Sequence, residues 1–411
     1  MKPKELYLTD FSLWELLLNK DYKNIRVLSF QTTGRVAPYG LSDCQDVLKK
    51  RGFSLKIVNL ENKTQEENFI NTVSATLDFR PHIVLTIDTV GLVPQIFNIL
   101  GGIVYISWFF DNAKNFIIPS VYLNPPSPYY YLFCWEKNNI SLFKEKNLAH
   151  VSYLPYGINE NVFYNQNQES SEFSSIISFV GNSLNQNRRE IIQAVSQKYS
   201  IDVYGDPGWK EIENNNLKYK GEVTNRKELS LIYSSSKINL NISPPQAETA
   251  ISERIFNILG SGGFLISDYK AGIENLFSLN KEVVCYKNKK ELLPLIEFYL
   301  KENEKRLLIA KNGEKKVRST HLISQKIDII LNNIKENRPA PKDIENFYHE
   351  LESNKVYANP FSQLGVIFAG RKEYQTAFKC FKKALTIDPK NQLALQNLEQ
   401  LNKLINNSLG I

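Results

Sequence analysis

The sequence predicts an α/β chain: two parallel-sheet units of similar size, then an all-helical module. Three observations predict it. From Asn24 onward, short continuous apolar runs alternate with longer segments of helical spacing. The alternation stops at a polar stretch rich in Asn, Gln, Ser and Glu, residues 165–175, and then restarts. A Pro-rich break, Asn337-Arg338-Pro339-Ala340-Pro341-Lys342, is followed by helical pattern alone. Continuous apolar strands, rather than alternating ones, are what a parallel sheet covered by helices on both faces requires.

Elements of the first unit, 1–164, follow in order. Apolar runs at 25–30, 54–60, 83–87, 103–108, 131–134 and 151–154 read as strands, and 41–51 and 66–79 carry helical spacing. The most apolar stretch, 96–110, is broken by Asn98, Gly101, Gly102 and Ser107. It is shorter than the roughly 20 residues of a spanning helix and reads as a helix end, a Gly-Gly turn and a buried strand. The second unit, 165–336, repeats the plan. Strands are expected at 176–180, 201–204, 217–219, 238–242, 264–267 and 283–286, with helices at 188–198, 226–235 and 252–259, and helical segments from 289 to about 334.

The last part, 337–411, centres on 359–390, with Phe361, Leu364, Gly365, Phe368, Tyr374, Ala377, Phe381, Ala384 and Pro389. Gly365 and Ala377 are small where two helices must approach, aromatics fill the space beside them, and Pro389 ends the second helix. This resembles one tetratricopeptide repeat of 34 residues. A single hairpin is marginal alone, so 343–357 and 393–405 are expected to flank it.

Composition limits the functional classes. A chain of 411 residues suits two or three domains. Its 42% hydrophobic and 23% charged residues are a globular balance. Fifty Lys and Arg against 43 Asp and Glu leave a net charge of +7. That permits an anionic ligand but, without a basic run interleaved with aromatics, makes no case for nucleic acid. Cys44, Cys134, Cys285 and Cys380 are scattered with no C-x-x-C pair. They argue against a zinc ribbon or a disulfide scaffold and fit a reducing cytoplasm. Residues 1–20 mix Lys2, Lys4, Glu5, Asp10 and Glu15 with apolar side chains, unlike a signal peptide. The Lys-rich segment 287–342 alternates with Glu and reads as a solvated face; membrane contact is not favoured.

Two such units suggest a cleft between facing sheets, with ligand at the carboxyl ends of strands. The stretch 239–268 carries most of the signal. A strand ends at Ile242, a loop holds Ser243-Pro244-Pro245, a helix begins near Ser252, and Gly260-Ser261-Gly262-Gly263 precedes another strand. A helix N-terminus offers unbonded N–H groups and the positive end of the dipole, which suit a diphosphate. Glycines admit a ligand to the backbone, and also serve as ordinary helix C-caps.

Ser252-Glu253-Arg254-Ile255-Phe256, then Gly262-Gly263-Phe264-Leu265-Ile266-Ser267-Asp268, Gly272-Ile273-Glu274-Asn275-Leu276-Phe277 and Glu282-Val283-Val284 form an ordered series. Glu291-Leu292, Tyr299-Leu300, Arg306, Ala310 and His321 continue it. It resembles the C-terminal half of GT-B glycosyltransferases of the spore-maturation (CgeB) type, within the group-1 superfamily. Phe179-Val180-Gly181-Asn182 with Arg188, and Val203-Tyr204-Gly205, fit the start of that half. Leu154-Pro155-Tyr156-Gly157-Ile158-Asn159 with Phe163 resembles its interdomain passage, and Ser107-Trp108-Phe109-Phe110-Asp111 a motif of the N-terminal half.

The resemblance implies two Rossmann-like domains facing a cleft and sugar transfer from a nucleotide donor, with the nucleotide in the C-terminal half and the acceptor in the N-terminal half. It implies no metal ion, since basic side chains and a helix N-terminus neutralise the leaving diphosphate. No Asp-x-Asp triad and no metal spacing of the four histidines appears. The nucleotide-sugar residues would be Gly181, Asn182, Arg188, Asn241, Ser243, Glu253, Arg254, Asn257, Gly262 and Gly263. Asn257 stands where many relatives carry a Glu that grips the ribose, so either another acid, Glu253 or Glu248, helps, or donor choice differs, or activity is reduced. Arg254 is the strongest candidate for the diphosphate; its competing role is an ion pair with Glu253 or Glu274. Arg188 competes with a solvated helix face.

Glu248 and Asp111 are the catalytic candidates, Glu248 meeting sugar hydroxyls and Asp111 acting as base on an acceptor hydroxyl; their competing roles are a plain surface residue and an Asx-turn or helix cap with Asn112. Gly34 and Arg35, after the first strand, would form an acceptor-side loop. His82, at the amino end of a strand, and His321, at a helix boundary, read as structural. The helical module suits a peptide segment, so the expected partners are a nucleotide sugar and a polypeptide acceptor. The rival function is a non-catalytic scaffold acting through the helices.

Overall fold

The computed structural model describes residues 12–34, 37–110, 126–165, 173–244 and 247–409. Helix α1 (Leu13–Leu18) leads into β1 (Arg26–Gln31), α2 (Ala37–Lys50), β2 (Ser54–Asn59), α3 (Gln65–Phe79), β3 (Ile83–Ile87), α4 (Pro94–Leu100), β4 (Val104–Phe109), β5 (Tyr130–Cys134), α5 (Asn139–Lys144) and β6 (His150–Tyr153). The six strands form one parallel sheet in the order β2-β1-β3-β4-β5-β6. Strands β3, β4 and β5 are buried at every position, which is why they read as unbroken apolar runs.

A second sheet follows: β7 (Ser175–Val180), α6 (Gln186–Ser196), β8 (Ile201–Tyr204), β9 (Leu217–Tyr219), α7 (Arg226–Ser235), β10 (Ser236–Asn241), α8 (Glu253–Gly260), β11 (Leu265–Asp268), α9 (Ala271–Leu276), β12 (Val284–Tyr286), α10 (Lys289–Lys301) and α11 (Asn303–Thr320). Its order is β12-β11-β10-β7-β8-β9, again all parallel. Read from β9 this is third, second, first, fourth, fifth, sixth, the doubly wound order whose switch point lies between β7 and β10. Helices α6, α7 and α10 each open on an Asn whose side chain accepts a backbone N–H, so the Asn-rich composition is used for N-caps. All twelve strands fall on the apolar runs that predicted them, with ends shifted by at most two residues.

The chain closes with α12 (Ile323–Glu336), α13 (Pro341–Ser353), α14 (Ala358–Gly370), α15 (Tyr374–Ile387) and α16 (Gln392–Leu409). Helices α14 and α15 form the expected hairpin. A Cβ at Gly365 would lie 2.5 Å from the Phe381 ring, so the glycine sets how closely the two helices approach.

The described residues fall into two compact units. One holds the chain up to Cys134, Asn139–Tyr153, and everything from Ile329 on; the other holds Trp135–Asn138 and Leu154–Asp328. This differs from the division at 164 and 336 drawn from composition. The Pro-rich break is anchored, not loose. The Asn337 carbonyl accepts from Tyr131 Oη at 2.6 Å, the Ile334 carbonyl accepts from Trp14 Nε1 at 3.1 Å, and the Arg338 guanidinium lies 5.2 Å from the Trp14 ring. Further on, Asn98 Nδ2 donates to Tyr357 Oη at 3.0 Å and Tyr105 Oη donates to Asn98 Oδ1 at 3.2 Å, all buried. Tyr357→Phe leaves the Asn98 N–H without its acceptor and should destabilise this unit by about 1–3 kcal/mol. A lower urea midpoint at unchanged slope is the expected result; an unchanged midpoint would mean the tie carries no stability.

Candidate functional site

The site is built on the second sheet, where Leu240 of β10 pairs with Phe179 of β7 and both strands then end. Strand β7 runs out into Gly181, whose N–H donates to the Tyr204 carbonyl at 2.9 Å and whose carbonyl accepts from Trp209 Nε1 at 2.8 Å. There is no room for bulk here: a Cβ at Gly205 would lie 2.1 Å from the Gly181 oxygen. The next turn is fixed by Asp206, which accepts from Ser183 N (2.7 Å), Ser183 Oγ (2.6 Å) and Gly208 N (3.1 Å). Burial pushes the Asp206 carboxyl up, but these bonds together outweigh it and hold the group below its ordinary value.

Helix α6 then brings in Arg188, only 4% exposed, with its N–H on the Asn185 cap. Its Nε and Nη2 donate to the Ile242 carbonyl at 3.1 and 3.0 Å, and Nη1 donates to Asn182 Oδ1 at 2.9 Å. One guanidinium thus ties the end of β10 to the loop after β7. Burial, with the neighbouring Arg254 adding, pushes Arg188 down to about 10 against the opposing pull of Asp268.

Arg254, in the first turn of α8, donates from Nη1 to Asn241 Oδ1 at 2.9 Å and lies 6.0 Å from the Phe179 ring centre. Asn241 is fully buried, and the same Oδ1 also accepts from Ser252 Oγ at 2.9 Å while its Nδ2 donates to Ser267 Oγ at 2.9 Å. Ser243 donates from both N and Oγ to Asp268 Oδ1 at 2.9 Å. Arg254 makes no ion pair with Glu253 or Glu274. Among the described residues neither Arg188 nor Arg254 contacts a carboxylate at ion-pair distance. Two guanidinium groups therefore leave positive charge at the carboxyl ends of β7 and β10 with neutral amide and carbonyl partners.

Other expected residues are placed as follows. Asn257 Nδ2 donates to Glu253 Oε1 at 2.9 Å, one helical turn away, and the buried Asn257 Oδ1 has no partner. Glu248 is exposed, with Asn138 Nδ2 3.3 Å from its Oε2. Gly34 follows β1 in a left-handed turn, φ 120°. Asp111 and Arg35 lie outside the described residues. Gly262 and Gly263 are a correction. The Gly262 N–H bonds the Leu259 carbonyl and the Gly263 N–H bonds the Ile258 carbonyl, both at 3.0 Å, with φ 76° at Gly262. This caps α8 at its far end, about 12 Å along an eight-residue helix from Arg254's turn. It lies at the amino end of β11, away from the arginines, so the pair is a helix cap.

Comparisons with known proteins bear on this arrangement. A family model described as "Glycosyl transferase-like" matches residues 187–332. No curated protein matches the chain. Among solved structures, a sucrose-phosphate synthase from Thermosynechococcus elongatus aligns with TM-score 0.59 at 10% identity, over 76% of this chain and 99% of that one. A glycosyltransferase from Rickettsia africae aligns with TM-score 0.59 at 13% identity, over 77% and 99%. HepE from Anabaena, solved with UDP and glucose, aligns with TM-score 0.57 at 11% identity, over 76% and 100%. The chain has the GT-B fold.

Within this GT-B chain several site residues escaped the sequence. Asp206 shapes the Ser183 turn, and Glu136 is buried against Thr249 and Ala250, 113 and 114 residues away. Only the Asp-Pro-Gly string after β8 was a signal for the first; nothing local marked the second. Among the described residues no three His, Cys, Asp or Glu side chains group to hold a metal ion, and no helix is long and apolar enough to cross a membrane.

Behind α8, His321 packs edge-on to the Phe256 ring at 5.1 Å and accepts at Nδ1 from Lys326 Nζ at 3.0 Å. Burial, with Lys326 and Lys316 adding, pushes His321 from 6.5 down to about 3, and burial pushes Lys326 from 10.5 down to about 8. Both groups bind more protons unfolded than folded inside those windows. Stability should therefore rise with pH from about 3 to 6.5, and again from about 8 to 10.5. Urea unfolding of wild type and Lys326→Met at pH 8, 9 and 10 checks the upper window: the variant should lose that rise. An equal slope in both would place the proton elsewhere.

Proposed function

We propose that this protein is a glycosyltransferase that moves a sugar from a nucleotide-diphosphate donor to an acceptor. The observation that carries the reading is the Arg188–Arg254 pair at the carboxyl ends of β7 and β10, without a carboxylate at ion-pair distance. A leaving diphosphate is the anion that such a pair neutralises, and Gly181 lets it approach the backbone, 3.5 Å from Arg254 Nη2 even at the position a Cβ would take. The glycosyl transferase-like match over 187–332 and the UDP held by HepE support it.

In this reading Arg254 and Arg188 hold the diphosphate, with Asn182, Asn241 and Ser243 setting their geometry. Glu253 and Asn257 meet the ribose, and Glu248 meets the sugar. Asp111 acts as base toward the acceptor, beside Gly34 and Arg35. No metal is required. The finer placement, in the CgeB branch with a tetratricopeptide module that docks a polypeptide acceptor in the cytoplasm, rests on the motif series, the Gly365–Phe381 hairpin and the scattered cysteines. Asn257 favours a second reading, an inactive scaffold. Its neutral amide bonds a hydroxyl more weakly than a carboxylate does.

Arg254→Ala should weaken UDP or GDP binding by about 1.5–3 kcal/mol, and Arg254→Lys should recover little, because a point charge cannot reproduce the fork. Calorimetry reads both; a folded Ala variant that binds as wild type does would remove Arg254 from the site. Hydrolysis of a panel of nucleotide sugars should survive EDTA, and full loss restored by Mn²⁺ would overturn the metal-free mechanism. A wild-type protein that binds neither nucleotide and hydrolyses no nucleotide sugar would favour the scaffold.

A further inference from the structure

Glu136 is 1% exposed, two residues beyond β5, and no cation contacts it among the described residues. Its carboxylate is satisfied instead by the loop that precedes α8. Oε2 accepts from Thr249 N at 3.0 Å and Ala250 N at 2.9 Å; Oε1 accepts from the Thr249 hydroxyl and, at 3.4 Å, from Asn138 N. Two successive amides that converge on one oxygen fix the peptide planes on both sides of Thr249. The loop is pinned from its other side as well. Lys270 Nζ donates to the Ala247 carbonyl at 2.8 Å, and Gly272 N donates to the Thr249 carbonyl at 3.1 Å. A Cβ at Gly272 would fall 2.0 Å from that carbonyl. Glu248 is the one side chain of 247–250 that is exposed, and Asn138, from Glu136's own segment, reaches its carboxylate.

We propose that Glu136 is the positioning residue for Glu248: its buried carboxylate holds the 247–250 loop so that Glu248 can meet the sugar of the donor. The proposal rests on the reading of Glu248 as a sugar contact. Glu136 does not touch the arginines, so it should govern sugar recognition and leave diphosphate recognition alone. Packing alone does not explain a carboxylate there. A buried charge is costly unless it is fully hydrogen-bonded, and the four donors converge on this one.

The experiment uses the full chain and whichever of UDP-glucose, UDP-N-acetylglucosamine and GDP-mannose wild type binds most tightly, beside its parent nucleotide. Glu136→Gln keeps the volume but turns an amide NH₂ toward N–H donors. It should weaken the nucleotide sugar at least fivefold and leave UDP or GDP within twofold. Glu248→Gln should do the same, and the double variant should be no weaker than either single one, because both remove one contact. Equal loss of nucleotide and nucleotide sugar, no loss, or additive losses would overturn the proposal. Amide exchange gives a readout independent of ligand: Thr249 and Ala250 should exchange at least tenfold faster in Glu136→Gln, with α8 unchanged. If wild type binds no nucleotide at all, the glycosyltransferase reading has failed. Exchange then decides alone whether Glu136 holds the loop, and unchanged protection would show that it does not.

Discussion

The Arg188 guanidinium ties the carboxyl ends of β7 and β10 together from inside the protein. It is a charge 4% exposed with no carboxylate in contact, which is an expensive thing to bury. Its downward shift to about 10 records that expense. What offsets it is geometry: three N–H groups reach the Ile242 carbonyl and Asn182 Oδ1 within 3.1 Å. In a doubly wound sheet these strand ends part at the switch point, and the crevice there has no side chain of its own to hold it in shape. Arg188 supplies the hold. Asn182 and Ile242 are held by it directly, while Gly181 is fixed by Tyr204 and Trp209 and Ser243 by Asp268.

The second arginine is placed by a different device. Asn241 has its amide N–H on Ser267 Oγ, so its oxygen faces Ser252 and Arg254. A neutral acceptor orients a guanidinium without cancelling its charge. A carboxylate at the same point would have formed an ion pair and used up the attraction for any incoming anion. The carboxylate nearby, Asp268, is occupied by Ser243 N and Oγ. Positive charge is therefore concentrated by choosing amide and carbonyl partners throughout. This separates residues that would touch a ligand from those that set them. Asn241, fully buried, belongs to the second group, although the sequence presents it as a contact.

The strands were legible because burial on both faces leaves a local trace. Tyr130–Cys134 or Val104–Phe109 cannot be read as anything else once helices flank them. The α6 and α8 positions were legible instead from helical apolar spacing between those strands, and with them the positions of Arg188 and Arg254. What the chain does not encode locally is pairing. Arg188 meets Ile242 across 54 residues, and Glu136 meets Thr249 across 113. The glycine pair was misplaced for another reason: Gly262 and Gly263 satisfy a helix terminus with the same conformational freedom that a ligand loop needs. Direction along the sheet decides between these, and only the order of strand and helix shows it. The Pro-rich break at 337–342 reads as a linker by composition, yet Tyr131 holds Asn337 across 206 residues.

That anchoring changes what the C-terminal helices can contribute to acceptor docking in the proposed function. A module on a free linker raises the local concentration of whatever it binds over a broad volume, and tolerates acceptors of many lengths. These helices are not on a free linker. Tyr357 is buried on Asn98, and Arg371 pairs with Asp78 of α3. Helices fixed to the first sheet leave little orientational freedom to lose when a segment docks on them, so a docked polypeptide would be held against that sheet in one orientation rather than over a broad volume. The buried Asn98–Tyr357 bond, 259 residues apart in sequence, would be what turns the helical hairpin from a tether into a fixed docking face of its own unit.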